Sequence, residues 1–338
     1  MIYVSLKEPQ AYALPFYLAM EEYVARHIAE IGDEAFFMWR VPPTVIFGRN
    51  QLLDNEVNVD YCESHGINYF RRKSGGGCVY ADDDNFMFSY ISRRHNVSTT
   101  FAEYTSKIVE MLQGLGIADA HSSSRNDVMI GNRKVSGNAF YYSNGCSIVH
   151  GTMLFDTNME NMLNAITPSS VKLDSKGVES VRQHITVLRE HVSLSKDEFA
   201  NYAKSKMCNG EVVLDEAAVK EIEAIAEPYY SKEFIFGRNP RCKAHRSGRV
   251  EGVGELHIDL DVRGNKIESA NLLGDYFLIG DQDVVLNALK GVEFNYDDVR
   301  DVLSEIKLDE IIYKLESTQF INILFQDNYG RKQENLSV

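Results

Sequence analysis

The chain has no apolar run approaching the roughly 18 consecutive residues of a membrane-spanning helix, so no transmembrane segment is expected. Cysteine is scarce and oddly numbered: Cys62, Cys78, Cys146, Cys208 and Cys242 contain no CxxC pair. That pattern argues against a disulfide framework and fits a reducing, cytoplasmic compartment. Positive charge is short as well, with 35 Lys and Arg against 49 Asp and Glu and a net charge of −14. A nucleic-acid binder gains affinity by neutralising phosphates, so this balance disfavours that class. Any phosphate must be held by a local basic site. The stretch MIYVSLKEPQAYALPF places Lys7, Glu8 and Pro9 where a signal peptide needs an apolar core, and no export signal is expected. RCKAH sets Cys242 just ahead of His245, but the second ligand pair of a zinc site is missing.

What is present is an ordinary globular composition, 44% hydrophobic and 25% charged, over 338 residues. That length exceeds the usual single core and predicts two domains. ALPFYLAMEEYVARHIAEIG reads as a helix from the spacing of Leu14, Leu18, Val24 and Ile28. AFFMWRV, TVIFG, INYFRR and FMFSYIS read as strands, with a short helix in VDYCESHG. A glycine run, Gly75 to Gly77, is thus expected as a loop between the strand of Tyr69 to Arg72 and that of Phe86 to Ile91. DVMIGNRKVSGNAFYY and CSIVHGTMLF add strands, the first turning at Gly131 and Asn132. Helical patterns occupy 157–170 as far as Pro168, then 195–207 and 214–227. Periodicity fails in YYSKEFIFGRNPRCKAHRSGR, the expected domain boundary, within which GRNPRCKAHRSGR has the composition of a hinge. Beyond it lie a hairpin turning at Gly264 and Asn265 and helices over 281–325.

The segment FRRKSGGGCVYADDDNF sets three bare glycines between a basic and an acidic cluster. Such a run is kept where Cβ atoms cannot be tolerated, in a strained turn or where a ligand lies against the backbone. It matches neither the Walker nor the GxGxxG spacing. A solvated glycine-rich hairpin is the plain alternative. A second segment, RNDVMIGNRKVSGNAF, holds Lys134 between Gly131 and Gly137 and is followed by HGTMLFD. Arg72, Lys134 and His150 on small-residue strands could surround an anionic acyl group and a phosphate. An ammonium in an apolar strand pair is costly unless it meets an anion, and Asp127 as an ion-pair partner is the structural alternative.

LAMEEYV, VIFGRNQ, RRKSGGGCVYADDDN, RNDVMIGNRKVSGNAF, HGTMLFD, KLDSKGVESVRQHITVL and LLGDYF run in order from residue 18 to residue 277. Together they resemble the motifs of the lipoate–protein ligases of the long bacterial type. The resemblance implies an α+β fold: a class II synthetase-like catalytic domain with a mixed or antiparallel sheet, expected over 1–245, and a small α+β accessory domain over 246–338. It implies a two-step enzyme in which (R)-lipoate and ATP with Mg2+ give lipoyl-AMP, and the acyl group passes to a lysine of a lipoyl carrier. The carriers implied are 2-oxoacid dehydrogenase E2 subunits and the glycine cleavage H protein. Carried onto matching positions, Arg72 would bind phosphate, and Lys134 would bridge the lipoyl carbonyl and the α-phosphate as the catalytic residue. Ser74, Gly75, Gly76, Gly77, Cys78, Val79, Tyr80, Asn85 and Asn126 would line the nucleotide; His150, Gly151 and Thr152 would line lipoate with Lys134. Asp127 would be a magnesium ligand or an orienting group.

Where the family commonly reads GGGAVYHDxGN, this chain reads GGGCVYADDDN, with Cys78 for alanine, Ala81 for histidine and Asp84 for glycine. Cys78 raises an alternative, an ATP-independent lipoyl or octanoyl acyltransferase working through a cysteine thioester. A second alternative is a non-catalytic protein that binds lipoate or its carrier.

Overall fold

Strand FMFSYIS is buried along its whole length, as its apolar and aromatic run predicts for a strand covered on both faces. In the computed structural model, which describes all but residues 9–10, 95, 124–126, 167–183, 237–243 and 335–338, it lies inside an eight-stranded mixed sheet. The chain divides into two compact units, Met1–Ser74 with Cys78–Gly237, and Gly75–Gly77 with Arg238–Val338.

The first unit is built on β1 (Ile2–Leu6), β2 (Glu34–Trp39), β6 (Phe86–Ser92), β7 (Ala120–Ser122), β8 (Asp127–Ile130), β9 (Arg133–Ser143), β10 (Cys146–Met153) and β11 (Gly210–Leu214). Their order is β11-β1-β2-β6-β10-β9-β8-β7, parallel from β11 to β2 and antiparallel from there. A smaller sheet of the same unit has the order β4-β3-β5, with β3 (Thr44–Phe47), β4 (Asn68–Arg71) and β5 (Val79–Ala81). The helices are α1 (Leu14–Arg26), α2 (Val59–Ser64), α3 (Val97–Gly114), α4 (Met159–Ala165), α5 (Lys196–Met207) and α6 (Glu216–Ala226), with shorter turns between. Helix α1 begins on Leu14 and Pro15, where the missing N–H and fixed φ of proline suit a first turn. It is buried nearly all round, joining Phe37, Trp39, Met87, Ile91, Tyr141 and Ile148 of the sheet in one core with Ala218 and Ile222 of α6. Side-chain caps start the other helices: Asn96 on α3, Asp215 on α6 and a Ser195–Glu198 capping box on α5.

The second unit carries β12 (Ala244–Val250), β13 (Gly254–Arg263) and β14 (Lys266–Gly274) in one antiparallel sheet. Helices α7 (Asp283–Leu289), α8 (Tyr296–Ser304) and α9 (Ser317–Glu334) belong to the same unit. Its core joins Leu256, Ile258 and Leu260 of β13 to Val285, Leu289, Val299 and Leu303 of the helices. The β13–β14 turn uses Gly264 and Asn265, both at positive φ, as expected.

Three expectations change. The glycine run leads from β4 not to β6 but to β5, which pairs antiparallel with β3. Val79 to Ala81 was too short a run to read as a strand. Residues 244–249 of the expected hinge, with Val250, form β12, paired along β13, while 237–243 lie outside the described residues. Strands β1 and β11, whose paired residues are 208 apart in sequence, close one edge of the large sheet through a parallel register from Ile2↔Gly210 to Leu6↔Leu214. Neither was anticipated.

Candidate active site

In the first unit the antiparallel register places His150 of β10 across from Ser89 of β6, on the face covered by α1. Glu21 reaches that face from α1 and is wholly buried. Its carboxylate accepts from Ser89 Oγ at 2.5 Å, His150 Nδ1 at 2.9 Å and Tyr141 Oη at 3.2 Å. Ser89 Oγ accepts in turn from Trp39 Nε1 at 2.8 Å. Burial, with the Glu21 charge beside it, pushes the Tyr141 hydroxyl well up, so it stays a donor. The other ring nitrogen, His150 Nε2, lies 2.7 Å from Ser74 Oγ, and Arg72 Nε donates to the same oxygen at 2.9 Å. Arg72 Nη1 donates to the Ile46 carbonyl. Four groups singled out or quoted in the sequence, Arg72, Ser74, His150 and the first glutamate of LAMEEYV, thus form one buried network. The adjacent Glu22 accepts from Lys73 Nζ at 2.7 Å and Tyr229 Oη at 2.6 Å.

Lys134 lies on β9 beside a register shift against β8. Its ammonium is 2.7 Å from Asp127 Oδ1, with both side chains about a third exposed at 36% and 27%. The expected ion pair therefore exists, but near the surface of the strand pair rather than in the core. A Cβ on Gly137 would lie 2.7 Å from Lys134 Nζ and 2.8 Å from Cε. The glycine of KVSGNA thus opens the space that the lysine side chain crosses. A Cβ on Gly151 would lie 1.9 Å from Asn138 Oδ1, so this glycine admits the amide of its cross-strand partner. Thr152 Oγ1 accepts from the Gly137 N–H at 3.2 Å, which ties β10 to the same segment.

Cys78 is partly buried; burial, with Glu56 nearby, pushes its thiol well above the ordinary range, the reverse of a nucleophile's environment. Val79 and Tyr80 enter β5, and Tyr80 packs in the core around Phe47 and Cys62. Asn85 is buried, with Nδ2 donating to Asp82 Oδ1. Asp82 itself accepts from the Asp84 and Asn158 N–H groups, and burial raises its pKa. Of the departures, Asp84 meets Lys196 at 2.6 Å and Ala81 is buried opposite Thr44. Asn126 lies outside the described residues. Asp127 does not sit in a carboxylate cluster: among the described residues no three His, Cys, Asp or Glu gather as a cation would require. With its oxygen on Lys134, the residues seen do not fit a resident Mg2+.

Gly75, Gly76 and Gly77 group with the second unit. Gly76, at φ +86°, donates its N–H to the Tyr276 carbonyl at 3.1 Å, and a Cβ on Gly75 would lie 2.2 Å from that carbonyl oxygen.

Sequence reasoning assigned no role to Glu21 or Arg71. The signal for Glu21 was two adjacent carboxylates in an otherwise apolar helix. Arg71 is buried and donates to the carbonyls of Gly48, Arg49, Gln51, Phe234 and Ile235, a structural part that an arginine pair in a strand does not reveal.

The profile of the lipoyl protein ligase A/B catalytic domain matches residues 14–207, and that of the bacterial lipoate protein ligase C-terminus matches 239–324. The chain is 30% identical to lipoate-protein ligase LplJ of Bacillus subtilis, with 91% of this chain and 96% of that protein covered. It is 32% identical to lipoate–protein ligase 1 of Staphylococcus aureus, with 91% and 95% covered. Among solved structures, P. falciparum LipL1 in complex with lipoate superposes with a TM-score of 0.73 at 18% identity, covering 95% of this chain and 97% of that one. The bipartite ligase of Thermoplasma acidophilum, described with its E2 lipoyl domain, gives 0.63 at 24%, over 72% and 98%. A lipoate-protein ligase A bound with ATP gives 0.60 at 23%, over 70% and 98%. These structural likenesses show a shared α+β fold; the domain profile, spanning more than half the chain, and the two bacterial relatives show that this protein belongs to the lipoate–protein ligase family.

Proposed function

We propose that this chain joins lipoate to a carrier lysine in two steps through lipoyl-AMP. In the first, a carboxylate oxygen of lipoate attacks the α-phosphorus of ATP and the bond to pyrophosphate breaks. In the second, the carrier amine attacks the acyl carbon, the bond to AMP breaks, and the amine gives up a proton. Both steps build negative charge on oxygens around the acyl carbon and the α-phosphate. A preorganised donor at that point is worth about 3 to 4 kcal/mol in the transition state. The observation that carries the proposal is Lys134: an ammonium held on a strand by Asp127, in space left open by Gly137, and still reachable from outside.

Residues 1–245 would act as the catalytic part and 246–338 as the accessory part. Arg72, Ser74, Gly75, Gly76, Gly77, Cys78, Val79, Tyr80, Asn85 and Asn126 would serve the nucleotide, and His150, Gly151 and Thr152 the lipoyl group. Any Mg2+ would enter with the nucleotide phosphates, since Mg2+ is commonly held by substrate phosphates and water with few protein ligands. The relative crystallised with ATP and the one described with its E2 lipoyl domain support the nucleotide and an E2-type carrier, to which the glycine cleavage H protein is added as a carrier of the same chemistry. No helix among the described residues is long and apolar enough to cross a membrane, and a cytoplasmic location is part of the proposal. The thioester alternative is disfavoured by the raised Cys78 thiol.

The test is incubation with ATP, lipoate or octanoate, and an E2 lipoyl domain, followed by intact mass of the carrier. ATP-dependent gain of one lipoyl group is expected. Transfer without ATP, or no pyrophosphate release, would refute the ligase reading.

A further inference from the structure

The Glu21 carboxylate can only accept, so the ring nitrogen that faces it, His150 Nδ1, carries a proton. Arg72 Nε–H can only donate, so it occupies a lone pair of Ser74 Oγ. Ser74 has one hydroxyl proton, and His150 Nε2 at 2.7 Å is placed to accept it. Nε2 is then bare and the ring proton sits on Nδ1, which faces both Glu21 oxygens at 3.0 and 2.9 Å. With the ring proton on Nδ1, every partner in this chain is satisfied. From the opposite side Trp39 donates to Ser89 and Ser89 to Glu21, and Tyr141 adds a third donor to the same carboxylate. Two chains of donors therefore converge on Glu21, one of them ending on Arg72.

The same three groups in a serine hydrolase would be a nucleophilic triad. Here that reading fails on geometry: Ser74 is 0% exposed and its oxygen already accepts from a guanidinium. An isolated buried carboxylate is costly, and an apolar side chain would fill the site without that cost. What the carboxylate does, and an apolar residue could not, is set the tautomer of His150 and through it the direction of the Ser74 hydroxyl.

We propose that Glu21 is a positioning residue for Arg72, acting through His150 and Ser74. The consequence for the reaction rests on the reading of Arg72 as a phosphate-binding group; the relay itself does not. Gln at position 21 presents one acceptor oxygen and an amide that only donates. With that amide facing Nδ1, the ring proton moves to Nε2 and points at Ser74 Oγ, which already accepts from Arg72. Displacing an oriented group by a fraction of an ångström costs about 10- to 100-fold in rate.

The experiment uses full-length protein with Glu21→Gln, Ser74→Ala, Arg72→Lys and the double variant Glu21→Gln/Arg72→Lys, with circular dichroism to check folding. Imidazole 15N shifts, assigned with a His150→Gln variant, should show wild-type His150 bare at Nε2, and protonated there in Glu21→Gln. Exchange of the Arg72 Nε–H should be slow in wild type and accelerated in both Glu21→Gln and Ser74→Ala. Lipoate-dependent pyrophosphate release should fall about 10- to 100-fold in Glu21→Gln, and Glu21→Gln should cost much less when added to Arg72→Lys. A wild-type His150 protonated at Nε2, unchanged Arg72 exchange, additive losses, or labelling of Ser74 by a fluorophosphonate would each overturn the proposal. If Glu21→Gln does not fold, His150→Gln, which breaks the link between Glu21 and Ser74 and leaves the acceptor of Arg72 in place, decides by the same exchange readout. A wild-type protein that never releases pyrophosphate refutes the ligase reading alone, because the tautomer and exchange still decide the relay.

Discussion

Gly137→Ala separates the position of the Lys134 ammonium from the stability of the fold. The added methyl would lie 2.7 Å from Nζ and 2.8 Å from Cε, inside the 3.4 Å at which ordinary contact begins. The ammonium must therefore retreat by about 0.7 Å, which the flexible lysine can do at low conformational cost. Gly137 does not have a left-handed φ, so alanine brings no backbone strain. The ion pair that is disturbed has both members about a third exposed, at 36% and 27%, and is worth at most about 1 kcal/mol. Stability should thus fall by less than about 1 kcal/mol in urea titration. Activity should fall far more, since a misplacement near 1 Å of a group meant for a developing charge costs about 100-fold. Lys134→Met, which removes the donor, sets the limit at about 3 to 4 kcal/mol, or some thousandfold at most. Pyrophosphate release reads the first step, and transfer from supplied lipoyl-AMP to a lipoyl domain reads the second; both should fall. Wild-type rates in Gly137→Ala would refute the argument that the glycine serves the lysine. A loss of several kcal/mol in stability with it would show that Gly137 serves the β8–β9 pairing instead.

Cys78→Ser should keep most ATP-dependent transfer, measured by intact mass of the carrier; an acyl-thioester trapped on Cys78 would defeat this. Because the folded thiol titrates above its ordinary value, it stays protonated as pH rises to about 9. Its alkylation by iodoacetamide should remain slow across that range and accelerate on unfolding, and a rise near neutral pH in the folded protein would contradict the burial argument. Arg71→Ala should cost about 3 kcal/mol in urea titration, because buried carbonyls of Gly48 and Gln51 and part-buried ones of Arg49, Phe234 and Ile235 lose their donor; a loss under about 1 kcal/mol would show that water replaces the guanidinium. Asp84→Gly, which restores the residue common in the family, removes only a half-exposed partner of Lys196 and should shift stability by less than about 1 kcal/mol. A larger shift would mean that the acidic substitution supports the β5–β6 connection.

How much could be read before the fold was known depended on the range of the interaction. Helix α1, the strand FMFSYIS and the β8–β9 turn at Gly131 are short-range patterns, and each stands where periodicity and turn residues put it. Strands β1 and β11 pair across some 200 residues at a sheet edge, where half-exposed positions weaken the apolar signal. Strand β12 carries Arg246, Ser247, Gly248 and Arg249, the composition of a linker, and is a strand because β13 offers a long partner. The site divides in the same way. Arg72, Ser74, Lys134 and His150 were singled out because they sit in glycine-bearing motifs. Glu21 was quoted but given no role, because its meaning comes from a histidine 129 residues away in sequence. The direction of a hydrogen-bond relay is a property of neighbours in space.

The glycine run shows why one motif can have several causes. Gly75 cannot carry a side chain because the Tyr276 carbonyl occupies the position of its Cβ at 2.2 Å. Gly76 adopts φ +86°, which L side chains rarely take, and its N–H is spent on the same carbonyl. Those two glycines are accounted for by the protein itself, by contact and by backbone conformation. Gly77 is different: its φ is ordinary, and a Cβ there would meet nothing among the described residues within 4 Å. At Gly77, unlike Gly75 and Gly76, neither a positive φ nor a described neighbour accounts for the missing side chain. Under the proposed function, in which the nucleotide lies against this segment, Gly77→Ala therefore tests ligand contact, whereas substitutions at Gly75 and Gly76 would test the turn itself.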